Sequence, residues 1–165
     1  IGGFSLVFDK ALRVGDVLKL GQTMGTVDRV GLRSTRIRTM DRTMLTVPNG
    51  QVATANIETF SDRDKFWFRH ILGLRYETTP AQMRLIVARV HELLLNETGV
   101  EKESVRARFF RLAPSSLDIE VVAYIFALVW SRFLEIQEGL LLRIMEIVDQ
   151  AGTRWDLVTG RAGSQ

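Results

Sequence analysis

The stretch "RVGDVLKLGQTMGTVDRVGLRSTRIRTMDRTMLTVPNG" constrains the fold more than any other, because glycines at 15, 21, 25, 31 and 50 punctuate segments of Val, Leu, Thr and Ile. β-Branched residues bounded by turn signals read as strands. The spacing predicts four antiparallel strands at about 16–20, 23–31, 33–40 and 43–48, with "MDRT" (40–43) as a hairpin turn. Strands this short and close together predict a small barrel or twisted sheet rather than a βαβ unit, and the glycines permit the bends it needs. Pro48 lacks an N–H for the ladder and should end the last strand. Asn49 is then expected to cap the short turn "GQVATANI".

The periodicity changes after residue 64. "KFWFRHILGLRY" (65–76) reads as a strand with Phe66, Phe68, His70, Leu72 and Leu74 on one side. Thr79 as N-cap before Pro80 opens a helix whose Met83, Ile86, Val87, Val90, Leu93 and Leu94 recur at three- and four-residue steps; Gly99 stops it. "SVRARFFRLAP" and "SSLDIEVVAYIFALVW" form a strand pair around "APSS", with Asp118 and Glu120 on a solvated outer face. "SRFLEIQEGLLLRIMEIVDQAG" is a second amphipathic helix, with Ser131 as its cap and Gly152 after it. The order β-α-β-β-α predicts an α+β sandwich with helices on one face of an antiparallel sheet, lacking the last strand of a full ferredoxin-like unit. "TRWDLVTGRAGSQ" reads as an untied end.

Composition narrows the chemistry. The absence of cysteine removes disulfides, thiolate metal sites and thiol nucleophiles together. No run approaches the ~18 apolar residues of a membrane span. His91 has no partner four residues on, and His70 alternates with apolar residues as a sheet histidine does, so no metal is expected. "GLRSTR" and "GQTMGT" lack phosphate-loop spacing, and no nucleophile, base and orienter set occurs, so the chain reads as neither enzyme nor cofactor binder. The net charge of +3 sits in the first third, where residues 1–60 hold 8 Lys/Arg against 5 Asp/Glu. Arg33, Arg36, Arg38 and Arg42 could meet phosphates, but residues 9–59 hold no aromatic ring for base stacking. That reads as a hairpin with a solvated face rather than a nucleic-acid grip.

Four stretches together resemble the small-conductance mechanosensitive channels, the MscS-like family: "FDKALRVGD" (8–16), "GTVDRVGLRSTRIRTMDRTMLTVPNG" (25–50), "NIETFS" (56–61) and the β-α-β-β-α order from 65 to 152. The resemblance implies the end of a pore-lining helix and its linker over 1–12, an Sm-like β-domain over 13–60, a ferredoxin-like α/β domain over 61–152, and a tail over 153–165 that is disordered or a cloning remnant. Gly2, Gly3, Phe4 and Phe8 would belong to the pore helix. Gly15, Asp16, Gly25, Gly31, Pro48, Asn49 and Asn56 would be the family's structural signature in the β-domain. Arg13, Arg33, Arg36 and Arg38 would face the membrane, with lipid headgroups as neighbours, or an adjacent subunit. Asp62, Arg63, Asp64 and Lys65 would meet permeating ions near the side openings.

The implied function is that of a vestibule in a mechanosensitive channel that releases ions and small osmolytes under membrane tension. It would form part of a heptamer on the cytoplasmic side of the bacterial inner membrane, this piece being soluble by itself. The chain departs from the family at Ala11, where proline is frequent, and in "TRWDLVTGRAGSQ", where a closing strand is usual. The alternative is an Sm-like RNA-binding or assembly module. A third reading is an α/β domain that senses a small molecule.

Overall fold

The computed structural model describes residues 12–61 and 63–156, and the chain divides into two compact units, one up to Arg63 and one from Asp64. In the first, the four expected strands appear within one residue of their expected ends: β1 (Val17–Leu20), β2 (Thr23–Val30), β3 (Ser34–Thr39) and β4 (Met44–Pro48). "GQVATANI" is more than a turn. It supplies a one-and-a-half-turn helix, α1 (Asn49–Thr54), and a fifth strand, β5 (Ile57–Thr59), which returns to pair antiparallel with β1. The sheet order is β4-β3-β2-β1-β5. Three residues are too few to display an alternation, which is why β5 carries no sequence signal.

The core of this unit takes one side chain from each of five elements: Leu18, Val27, Ile37, Val47 and Val52. Gly25 faces that core, where a Cβ would lie 2.6 Å from both Ile37 Cγ2 and the Arg38 carbonyl oxygen. The position therefore admits no side chain without moving the β2–β3 pair. The β3–β4 hairpin turns through Met40, Asp41 and Arg42, with Arg42 N–H donating to the Thr39 carbonyl. Arg42 carries a left-handed φ of 69°, the position where hairpins of this kind favour glycine.

Asn49 does not cap α1. Pro48 occupies the N-cap position and makes no side-chain hydrogen bond. The buried Asn49 amide is instead drawn to the β2–β3 hairpin. Its Oδ1 accepts from Thr35 Oγ1 and its Nδ2 donates to the Gly31 carbonyl, each at 2.9 Å. Its backbone N–H donates to the Arg33 carbonyl at 2.8 Å. One side chain thus fastens the helix start to both sides of the turn.

The second unit runs β6 (Phe66–Leu74), α2 (Pro80–Asn96), β7 (Val100–Leu112), β8 (Leu117–Ile125) and α3 (Trp130–Gln150), with sheet order β6-β8-β7, all antiparallel. The result is a β-rich part followed by a ferredoxin-like part, α+β throughout. Thr79 and Gln82 form a reciprocal capping box at the start of α2. Alternate residues of β6 and β8 enter the core beneath both helices, among them Phe68, Leu74, Ile119 and Ile125. His70 belongs to this face and is satisfied there, its Nε2 lying 2.9 Å from Gln137 Oε1.

Three expectations fail here for long-range reasons. Ser131 does not cap α3; Val129 holds that position without a side-chain bond. Phe66 stacks on Phe133 at 5.1 Å and lies 5.5 Å from Trp130, so ring packing sets where the helix begins. Asp118 is not solvated: it is 1% exposed and is covered by Arg111, Nη2 to Oδ2 at 2.6 Å, with Ser116 Oγ on its other oxygen. A register shift in β7 between Phe109 and Arg111 carries Arg111 over it. The segment read as an untied end starts tied, since Trp155 bridges Leu74 and the Arg75 and Asp156 N–H groups donate to the Arg154 and Gly73 carbonyls. Residues 157–165 lie outside the described residues.

Replacing Asn49 with alanine leaves the buried Thr35 hydroxyl and the Gly31 carbonyl without partners. It should cost about 3 kcal/mol in urea unfolding of the first unit; a loss under about 0.5 kcal/mol would refute the fastening role. Gly25→Ala should cost about 1–3 kcal/mol by the same measurement, through overpacking.

Candidate functional site

The hairpin of β2 and β3 displays the arginines. Arg36 and Arg38 point away from the core because Thr35 and Ile37 point into it. Arg38 stands opposite Thr26 and Met44, and its Nη1 donates to the Arg42 carbonyl at 3.1 Å. Sequence reading missed Arg29. The register of β2 shifts between Val27 and Arg29, and that shift sets Arg29 directly opposite Arg36. Two like charges facing each other across a ladder are destabilising by themselves. Only the bulge puts them there, and the sequence alone gives no mark of it. Arg13 and Arg33 are exposed. No arginine of this hairpin forms an ion pair among the described residues, whereas the second unit contains six. The result is a cationic strip on one sheet face, with the exposed Asp28 in the bulge beside Arg29 and in no ion pair among the described residues.

The signature residues of the first unit sit mainly at its turns and strand ends. Gly15, with a φ of 95°, and Asp16 make the turn into β1: Gly15 N–H donates to the Val27 carbonyl, and the Asp16 carboxylate accepts from the Arg13 N–H at 2.9 Å. The Gly31 N–H donates to the Ser34 carbonyl while its own carbonyl takes the Asn49 amide. Pro48 closes β4 opposite Ser34. Asn56 is exposed just before β5.

The segment following β5 divides by fate. Arg63 lies over the Phe60 ring at 4.3 Å, and Asp64 is exposed. Lys65 is held: its Nζ sits 2.6 Å from Glu101 Oε2 and 4.8 Å from the centre of the Tyr124 ring. The Glu101 hydrogen bond raises the Lys65 pKa against the opposing effect of burial, so its charge persists to higher pH than that of a free lysine. Asp62 lies outside the described residues, as do Gly2, Gly3, Phe4 and Phe8. Among the described residues no cluster of His, Asp and Glu could hold a metal, and no helix is long and apolar enough to cross a membrane.

Comparison with known proteins decides among the readings. The family profile "Mechanosensitive ion channel, beta-domain" matches residues 1–62, and "Mechanosensitive ion channel MscS, C-terminal" matches residues 70–154. The chain belongs to the MscS family. An uncharacterized MscS family protein of Aquifex aeolicus is 35% identical over 93% of this chain and 42% of its own length. The low conductance mechanosensitive channel YnaI of Escherichia coli is 31% identical over 91% of this chain and 44% of its own length. The chain thus spans under half the length of these MscS relatives. Among solved structures, Arabidopsis thaliana MSL1 superposes with a TM-score of 0.84 at 21% identity, covering 93% of this chain and 56% of that one. Helicobacter pylori MscS in its closed state gives 0.75 at 17%, covering 94% and 60%. These two show that the MscS fold is shared.

The Arg29–Arg36 pair gives a direct check. Arg29→Thr should stabilise the chain by roughly 0.5 kcal/mol at low ionic strength, with the gain shrinking as salt screens the repulsion. Urea unfolding at two salt concentrations reads it; a loss of stability at low salt would contradict a repulsive pair.

Proposed function

We propose that this chain is the vestibule of a mechanosensitive channel, lying on the cytoplasmic side of the membrane and passing ions and small osmolytes when tension opens the pore. The observation that carries the reading is the succession of an MscS β-domain over residues 1–62 and an MscS C-terminal domain over residues 70–154, together with 31% identity along 91% of the chain to a relative described as a low conductance mechanosensitive channel. In this reading the chain is one subunit of a ring, a heptamer in the intact channel. The cationic strip of Arg29, Arg36 and Arg38, joined by Arg13 and Arg33, faces anionic headgroups or an acidic surface of a neighbouring subunit. Each basic group near such a membrane contributes about 1 kcal/mol at most.

Arg63, Asp64 and the adjoining Asp62 are the candidates for charges at the side openings. Lys65 has a different part. Its bond to Glu101 fastens the approach to β6 to the start of β7, so it positions the opening rather than presenting a free cation.

Full-length protein expressed in a bacterium stripped of its own mechanosensitive channels should rescue survival of hypo-osmotic shock and give tension-activated currents in excised patches. Membrane-inserted protein that gives neither would overturn the proposal.

A further inference from the structure

Two apolar surfaces of the second unit stay substantially exposed in it. One is a groove of about 710 Å³ between α2 and β7, lined by Val87, Ala88, Phe109 and Leu112 with Arg84 at its side. The other is a stripe along α3. Phe133, Leu140, Ile144 and Val148 already place one face of this helix in the core, yet Trp130, Leu134, Leu142 and Met145 are 54, 40, 53 and 53% exposed. At about 100° per residue these four fall within roughly 120° of one another. Leu128, 99% exposed, and Val129 extend the stripe into the preceding loop. Together they expose on the order of 500 Å² of mainly apolar surface, comparable to the largest patch on a typical monomer, which is often functional, and to be set against ~800 Å² per partner in a stable interface.

The two surfaces lie at opposite edges of the unit. Arg143 of α3 reaches Glu97 at the end of α2 at 2.8 Å, so that flank of α3 faces α2. Leu134, at the centre of the stripe, is about 180° around the helix from Arg143. α3 covers β6 through the Phe66–Phe133 stack and the His70–Gln137 bond, while α2 lines the groove with β7. In the order β6-β8-β7 the stripe therefore borders one edge and the groove the other.

Length and charge also match. From Trp130 to Met145 the stripe runs about 22 Å, and the groove follows α2 from Thr79 to His91 for about 18 Å. Glu138 lies within the stripe and Arg84 beside the groove, and neither has an ion-pair partner among the described residues.

We propose that the α3 stripe of one copy seats in the α2–β7 groove of the next, with Glu138 against Arg84. The occupant is a second copy of this chain, and the proposal rests on reading the chain as a subunit of the channel. Because the two surfaces differ and lie at opposite edges, the contact is heterologous: it repeats from copy to copy, and forms a ring where the rotation between copies closes, instead of ending at a dimer.

The cysteine-free sequence makes the test clean. In the full-length protein, with cysteines beyond residues 1–165 replaced by serine, Ala88→Cys and Leu134→Cys are combined and oxidised in the membrane. Both positions are exposed and should tolerate the change. The double variant should give a ladder of disulfide-linked multimers on a non-reducing gel, and each single variant should stay at the monomer position. Dimers from Leu134→Cys alone would overturn the proposal in favour of a two-fold α3–α3 contact. Tension-gated current without the 88–134 cross-link would overturn the contact and leave the channel reading standing. A ladder in a protein that never gives current would support the contact and count against the channel reading.

Discussion

The first unit depends on one amide. Five aliphatic side chains are a small core for the number of residues they must order, and a sheet of this size is marginal on burial alone. Directional bonds then decide the register. Asn49 binds the turn after β2 through Gly31, the chain entering β3 through Arg33, and β3 itself through Thr35. A buried amide with these partners is costly to displace, because every alternative position of the hairpin strands a polar group away from water. The same bonds set the pitch of the hairpin that displays Arg29, Arg36 and Arg38. Fold and cationic surface have a common origin here.

What was legible in the sequence was local. Glycine spacing and β-branched runs located β1 to β4 to within a residue, and the Thr79–Pro80 start with its three- and four-residue apolar steps located α2. What was hidden depended on bulges and on distant partners. Arg29 joins the strip only because β2 slips register after Val27. Asp118 is buried only because β7 slips after Phe109 and brings Arg111 across. Pro48-Asn49 stood out as a signature, but capping chemistry predicts that asparagine works on its own helix. Its actual partners lie 14 and 18 residues back, where no local rule looks.

Charge is distributed differently in the two units, and this bears on their roles. On the open face of the second sheet, Arg69–Glu120 and Arg111–Asp118 pair cations with anions across neighbouring strands, and Lys65 reaches Glu101 from the approach to β6. The Arg69–Glu120 and Lys65–Glu101 pairs are partly exposed and add little stability, while Arg111 covers the buried Asp118 carboxylate; all three cancel charge on that face. The arginines of the first unit's hairpin form no ion pair among the described residues. A strip with Arg29 facing Arg36 is retained at a cost in self-repulsion, which makes sense where an anionic neighbour completes it.

The free edge of β7 indicates how the second unit can associate. A strand of 13 residues whose outer edge has no partner strand among the described residues invites a strand from another chain. Its first part resists this with Lys102, Glu103, Arg106 and Arg108, and with a register shift between Glu101 and Arg106 that disturbs the ladder. Phe109, Phe110 and Leu112 are exposed only toward its far end, where α2 walls the groove. Strand addition is thus discouraged along most of the edge, while side-chain packing is open at its end. A helix carrying a second apolar stripe, as α3 does, suits such a site better than an extended segment would, because it brings no unsatisfied backbone groups to the contact.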